Sequence, residues 1–163
     1  MTRKVCVLLL AMFVALALAS GPVLAKETAK QAKEKALKAA QYLGQKGTAA
    51  LPEFNDSKNA WGQEPYVFVY DFKGNIIAHP NNKLIGKNFL ALKDVKGNMF
   101  PAEFVAIAKG PGKGWSEYWW PKPGEKKPSQ KVSYIVRVPG KEMFVGTGIY
   151  DYSKDQAIKE AGK

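Results

Sequence analysis

The sequence predicts an α+β fold: a five-stranded antiparallel sheet with a long N-terminal helix and further helices packed on it. An alanine-rich segment with apolar residues every three or four positions follows residue 25. Five β-branched and aromatic runs come after it, and short turns join the last three into a meander. No strand–helix–strand alternation runs through the chain, which disfavours a doubly wound parallel sheet.

Residues 1–25 have the pattern of a secretory signal peptide. Two basic residues precede an uninterrupted apolar run at 5–19, and small residues permit cleavage after Ala25 or, alternatively, after Ala19. The other reading is an uncleaved N-terminal membrane anchor. We therefore expect a periplasmic or secreted protein whose single domain covers residues 26–163.

Composition excludes several classes of function. The 163 residues include one cysteine, Cys6 in the signal segment, and one histidine. These counts exclude a disulfide scaffold, a cysteine-rich metal site and any motif that needs two histidines. The net charge of +11 comes almost entirely from scattered lysines, which disfavours nucleic acid as a partner. No acid lies in a catalytic motif, so we expect neither an enzyme nor a cofactor or metal.

Apolar residues at helical spacing predict four helices. The segments are 26–47, 48–54, 98–109 and 151–161. We expect Asn98 to cap the third helix through its side chain. We also expect the helices to cover one face of the sheet and its edges.

The β-branched and aromatic runs predict five strands. The segments are 66–71, 75–79, 115–120, 131–138 and 142–150. A Lys-Gly turn joins the first two into a hairpin, and Asp71 and Asp94 are expected to serve turns rather than catalysis. Segment 81–96 is predicted as a packed loop. The glycine-rich segment 110–114 is interpreted as a turn, because it lacks the Lys-Ser/Thr ending of a phosphate-binding loop.

Four strings in order resemble the extracytoplasmic Cache sensor domains of bacterial chemoreceptors and sensor kinases, of the single-Cache type. They are YVFVYDFKGNIIAHPNNKLIGKNFLALKDVKG, GKGWSEYWWPKP, KVSYIVRV and FVGTGIYD. The resemblance runs from about residue 26 to 152. It implies a PAS-like architecture with N-terminal helices at 26–55, a sheet core at 66–150 and a C-terminal helix at 151–163.

The resemblance also implies a function. The family binds small molecules, most often short organic acids, between the sheet and the loop-helix layer after the hairpin, and it is not enzymatic. This chain carries no second membrane span and no kinase or methyl-accepting region. We therefore expect a free-standing module that needs a partner such as a membrane receptor or kinase. A homodimer through the N-terminal helix is left open, and the alternative function is a protein-interaction module with a vestigial pocket.

Charged candidates for the site follow from the chemistry of a carboxylate ligand. A buried carboxylate needs a compensating cation, and the family has a lysine at the position of Lys131. Arg137 shares the strand parity of Lys131 and is the alternative cation. His79 matches a family His-Pro pair; its ring either donates to the carboxylate or caps the strand end.

Aromatic candidates lie on three of the strands. They are Tyr70, Tyr118, Trp120 and Tyr134. A tyrosine offers a hydroxyl to a carboxylate and a ring to an alkyl tail, as a small amphipathic acid requires. The other reading places the same side chains in the aromatic core of the sheet.

Overall fold

A five-stranded antiparallel sheet lies at the centre of the computed structural model, which describes residues 27–163. Its strands β1 to β5 are Val67–Asp71, Ile76–Ala78, Lys113–Pro121, Pro128–Arg137 and Met143–Tyr150. They lie in the order β2-β1-β5-β4-β3, with every neighbouring pair antiparallel. The predicted fold class is confirmed, whereas the signal segment and its cleavage sites lie outside the described residues.

Three α-helices and two short 3₁₀ helices surround the sheet in the described part of the chain. The α-helices α1 to α3 are Ala29–Lys46, Phe100–Lys109 and Lys154–Ala161, and the 3₁₀ helices are Gly47–Asn55 and Asn82–Leu84. Thr28 opens α1 with a capping box, in which its hydroxyl accepts from the Gln31 N–H and the Gln31 side chain accepts from the Thr28 N–H. The long helix therefore begins where its own sequence satisfies the first free N–H groups.

Helices cover both faces of the sheet, so the expectation of a single covered face is wrong. On one face α1 packs against β4 and β5, and α3 packs against β3 and α1; α1 presents the buried alanines 29, 32, 36, 39 and 40. On the other face α2 packs against an aromatic layer that includes Phe68 and Phe144. Both side-chain parities of the strands are apolar, and each face therefore needs a cover.

A five-residue pattern, Asp-x-Lys-Gly-Asn, occurs twice and forms the same turn each time. Oδ1 of Asp71 accepts from the backbone N–H of Asn75 at 2.9 Å, and Oδ1 of Asp94 accepts from that of Asn98 at 2.9 Å. In each copy Oδ2 accepts from the asparagine side chain, and the glycine has a φ of 85°. The two aspartates thus serve turns, as expected.

The second turn corrects one helix boundary. Asn98 donates its side chain to Asp94, and Met99 occupies the cap position of α2 without a side-chain hydrogen bond. The expectation that Asn98 caps α2 is therefore wrong. Pro101 stands in the first turn of the helix, where a missing N–H loses no hydrogen bond. Two strands are longer than predicted: β3 begins at Lys113 and β4 at Pro128.

Candidate ligand-binding site

A lysine with a buried charged end is the central feature of the candidate site. Lys131 is 0% exposed, and its Nζ donates to Oη of Tyr66 at 2.8 Å and to Oη of Tyr150 at 3.3 Å. The same Nζ lies 4.0 Å from the ring centroid of Tyr66 and 4.6 Å from that of Tyr150. Within residues 27–163, no carboxylate forms an ion pair with it. The direct contacts of the ammonium that the structure shows are therefore all with neutral groups.

Burial changes the acid–base chemistry of this lysine. Desolvation lowers the pKa of Lys131 to about 7, and the negative charge of Glu64 opposes that shift. Desolvation likewise raises the pKa of both tyrosines beside it. Near neutral pH the site therefore holds a lysine poised between its charged and neutral forms, next to hydroxyls that keep their protons.

Gly148 makes room for the lysine side chain to lie along the sheet. A methyl group there would overlap the Ser133 hydroxyl and lie 2.8 Å from Cε of Lys131. Ser133 and Tyr118 share a hydrogen bond of 2.9 Å between their hydroxyls, which satisfies both buried groups. The two buried hydroxyl groups beside the lysine, those of Ser133 and Tyr118, are thus hydrogen-bonded to each other.

His79 lies beside Tyr66, with 5.0 Å between the two ring centroids. Its Nδ1 accepts from the backbone N–H of Asn81 at 2.8 Å, so the proton of the neutral ring is on Nε2. Desolvation and then the charge of Lys131 lower the pKa of His79 to about 3. The ring therefore stays neutral, and its remaining hydrogen-bond group is a donor.

Two cavities meet at Tyr66 and His79, which line both. The inner pocket lies between the sheet and α2, is walled mainly by aromatic rings and has a volume of about 10 Å³. The outer cleft has a volume of about 710 Å³, and the β3–β4 loop forms one of its walls. The inner pocket has room for about one water molecule, whereas the outer cleft is large enough for a small metabolite.

The outer cleft is polar and carries charges of both signs. Lys122 on the β3–β4 loop is paired with Asp151 at 2.7 Å. Glu64 and Glu125 line the cleft and form no ion pair among the described residues. Partial desolvation raises the pKa of Glu64, and the positive charge of Lys131 opposes the rise. The unpaired acids thus lie at the rim, while the buried cation lies deeper, behind Tyr66.

Five of the seven predicted site residues lie together around these cavities. Tyr70, Tyr118 and Trp120 line the inner pocket, and Trp120 also reaches the outer cleft. His79 lines both cavities, and Lys131 lies immediately behind Tyr66. The structure brings these side chains onto one face of the sheet.

The other two predicted residues lie elsewhere. Tyr134 is buried on the opposite face, 4.8 Å from the Trp115 ring centroid, because it alternates with Lys131 along β4. Arg137 shares the face of Lys131 but is exposed six residues along the strand, about 20 Å away. Its guanidinium lies over the Phe72 ring at 5.1 Å. Neither side chain can touch a molecule bound beside Lys131.

Sequence reasoning missed two contributors, Tyr150 and Glu64. Tyr150 pairs with Lys131 across β4 and β5, and only the strand register places its hydroxyl on the ammonium. Glu64 precedes the first strand in a segment that reads simply as a polar loop. The glycine at 148 did carry a signal, because a glycine within a strand marks a close approach.

The structure has a ligand-sized cleft beside a buried cation, and both lie on a PAS-like sheet. This combination is typical of a small-molecule sensor module. The chain belongs to the Cache family: the family model described as Cache domain, dCache_2, matches residues 54–161. Within the described residues, no helix combines the length and apolar character required to cross a bilayer.

Two curated relatives support this assignment. The chain is 38% identical over 105 residues to the sensor histidine kinase MctS of Rhizobium johnstonii, which covers 63% of this chain and 23% of the relative. It is 33% identical over 91 residues to the methyl-accepting chemotaxis protein McpP of Pseudomonas putida, covering 55% and 17%. The matched region therefore spans less than a quarter of each relative.

Solved structures agree with the family. The periplasmic sensor domain of a chemotaxis protein superposes with a TM-score of 0.60 at 27% identity, covering 75% of this chain and 90% of that one. A Cache chemosensory domain that recognises carboxylic acid superposes with a TM-score of 0.58 at 29% identity, covering 76% and 88%. The fold is thus that of extracytoplasmic ligand sensors.

Proposed function

We propose that this protein is an extracytoplasmic sensor module that binds a short organic carboxylate beside Lys131. The bound state is passed to a partner, such as a membrane receptor or kinase. The buried ammonium of Lys131, which faces only neutral hydroxyls, carries this proposal. A ligand carboxylate supplies the missing counter-charge, since an unpaired buried cation is costly.

The ligand enters through the outer cleft and displaces the Tyr66 hydroxyl from the ammonium. Tyr150 keeps its place, because its hydroxyl also donates to the Pro121 carbonyl at 2.8 Å. His79 offers its remaining N–H to the second carboxylate oxygen, and the aromatic rings of the inner pocket receive the alkyl end. The inner pocket, at about 10 Å³, must widen by side-chain rotation to admit that end.

Binding is coupled to protonation of the lysine. With a pKa of about 7 in the empty site, Lys131 takes up a proton when a carboxylate arrives. Affinity should therefore fall as the pH rises above 7, approaching tenfold per pH unit. Titration calorimetry in buffers of different ionisation enthalpy measures this uptake directly.

The test is calorimetric titration of the purified protein with propionate, for wild type and two variants. Lys131→Met keeps the length of the side chain and removes its charge, so binding should weaken at least tenfold. Lys141→Met removes an exposed lysine in the β4–β5 turn and should leave affinity unchanged. Equal affinity of wild type and Lys131→Met would remove Lys131 from the site.

The closed inner pocket favours a second candidate, a protein-interaction module that binds no small molecule. Its volume of about 10 Å³ leaves no room for a carboxylic acid without movement. A thermal-shift screen against C2–C4 carboxylates separates the two. A selective rise in melting temperature supports the sensor, and a flat response supports the interaction module.

A further inference from the structure

The amino group of Lys131 is a buried nucleophile as well as a buried cation. The direct contacts of its Nζ are with the hydroxyls and rings of Tyr66 and Tyr150, and no carboxylate between residues 27 and 163 forms an ion pair with it. Burial lowers the pKa of this lysine to about 7, so much of it is a neutral amine near neutral pH. A desolvated neutral lysine can attack an electrophilic carbon, which a solvated ammonium cannot do.

The space beside the lysine suits a small, uncharged electrophile. The inner pocket, which Tyr66 and His79 line together with other aromatic rings, has a volume of about 10 Å³ and admits no organic acid until side chains rotate. An anion that meets the neutral amine also finds no counter-charge to offset its lost hydration. Carbon dioxide is slender and uncharged, and the outer cleft gives it a path from solution as far as Tyr66.

We propose that Lys131 is a carbamylation site, at which carbon dioxide adds reversibly to Nζ. The Nζ lone pair forms a bond to the carbon of carbon dioxide, one C–O π bond breaks, and its electron pair goes to the oxygen. Nζ loses one proton to water in the outer cleft, so the products are a carbamate anion and one proton. This modification goes beyond the proposed sensor function, because it requires no carboxylate ligand.

Hydrogen-bond donors for the carbamate are already in place. The Tyr66 hydroxyl, which accepts from Nζ at 2.8 Å, can turn to donate to a carbamate oxygen, and His79 beside it offers its Nε2–H. The single N–H left on the carbamate nitrogen continues to donate to Oη of Tyr150. Burial raises the pKa of both tyrosines, so their hydroxyls keep the protons that these bonds require. The reaction thus exchanges a cation without an ion-pair partner for an anion that meets hydrogen-bond donors.

Carbon-13 NMR of the purified protein tests the proposal, in buffer of pH 8 equilibrated with ¹³C-labelled carbon dioxide. We expect a carbamate resonance that is lost in Lys131→Met and kept in the matched control Lys141→Met, which removes an exposed lysine. A carbamate on the N-terminal amine is told apart because it persists in Lys131→Met. If no carbamate resonance depends on Lys131, the proposal is overturned.

A second pair of variants tests the hydrogen bonds. Tyr66→Phe keeps the ring and removes the hydroxyl, so the affinity for carbon dioxide should fall about tenfold, as expected for a lost hydrogen bond to a charged group. Tyr42→Phe removes a hydroxyl bonded to Glu53 at the surface and should leave that affinity unchanged. An unchanged affinity in Tyr66→Phe would overturn the role of Tyr66.

Isocyanic acid, supplied as cyanate, measures access to the amine separately. It is uncharged, close to carbon dioxide in size, and adds irreversibly to neutral amines, so peptide mapping by mass spectrometry should find Lys131 labelled before Lys141. Labelling of Lys131 without a carbamate resonance would show that the amine is reached but holds no carbamate, and would also overturn the proposal.

The carbamate and the carboxylate site fail in different ways. If propionate binding depends on Lys131 and no carbamate forms, the sensor proposal stands and carbamylation is wrong. If the carbamate forms and propionate does not bind, the reverse holds. If both occur, propionate should suppress the carbamate resonance, because the two compete for one nitrogen.

Discussion

Replacing Lys131 with methionine should stabilise the protein while destroying ligand binding. The reason is that the lysine is 0% exposed and its pKa falls from 10.5 to about 7 on folding. Methionine fills a similar volume without a charge. The site residue thus costs stability, which is common where a protein keeps a buried group for function.

The magnitude follows from the linkage between pKa and stability. A change from 10.5 to about 7 corresponds to ~5 kcal/mol of unfavourable free energy for the charged form. The variant loses hydrogen bonds to two tyrosine hydroxyls, each worth roughly 1 to 1.5 kcal/mol. At pH 7 the variant should therefore be about 2 kcal/mol more stable than the wild type.

The sign of the pH dependence is fixed by which state holds the proton. Between pH 7 and 10.5 the unfolded lysine is protonated and the folded one is not, so stability rises with pH over this window. The full penalty is present below pH 7 and is lost above pH 10.5. From pH 7 to 9 the wild type should gain ~2 kcal/mol relative to Lys131→Met.

Urea unfolding at pH 6, 7, 8 and 9 measures this difference for wild type, Lys131→Met and the control Lys141→Met. Titrating groups that do not interact with Lys131 contribute equally to all three proteins and cancel in the comparison. The control should follow the wild type at every pH. A constant difference between wild type and Lys131→Met across this range would refute the idea that the lysine is desolvated.

Three further outcomes are expected. Thr147→Val should raise stability by ~1 kcal/mol in urea unfolding, because the buried Thr147 hydroxyl has no hydrogen-bond partner among residues 27–163. An unchanged midpoint would indicate a bound water. Gly148→Ala should lower stability by about 1–3 kcal/mol and weaken propionate binding, because its methyl group would lie 2.7 Å from the Val132 carbonyl oxygen. The imidazole of His79, the sole histidine, should remain neutral with its proton on Nε2 from pH 8 to 5, as measured by ¹⁵N NMR. Because the pKa of His79 in the folded protein is about 3, the free energy of unfolding should fall as the pH drops below about 6.5.

The periodicity of the sequence was enough to predict the type and order of nearly every element. It was not enough to assign the helices to faces, since β4 is buried on both sides: Val132 faces α1 and Ile135 faces α2. Strand parity alone could have separated Tyr134 from Lys131, because they are three residues apart. Arg137 lies on the same face of the sheet as Lys131, so parity does not separate the two. The distance along the strand does, because they are six residues apart.

The chemistry of the site was harder to predict than the fold. The importance of Tyr66 and Tyr150 comes from long-range register, which pairs β1 with β5 and β5 with β4. Local sequence does not encode which hydroxyls converge on one ammonium. The loop that carries Glu64 has no periodic pattern from which its position at the rim could be deduced.

The two Asp-x-Lys-Gly-Asn turns also bear on how the chain folds. Each turn closes within five residues through the aspartate side chain, so it needs no distant partner to form. Such a loop closes within about 100 nanoseconds, long before β1 can meet β5. The turn at Asp71 therefore brings β1 and β2 together early, and the slow step should be the long-range docking of β5 between β1 and β4.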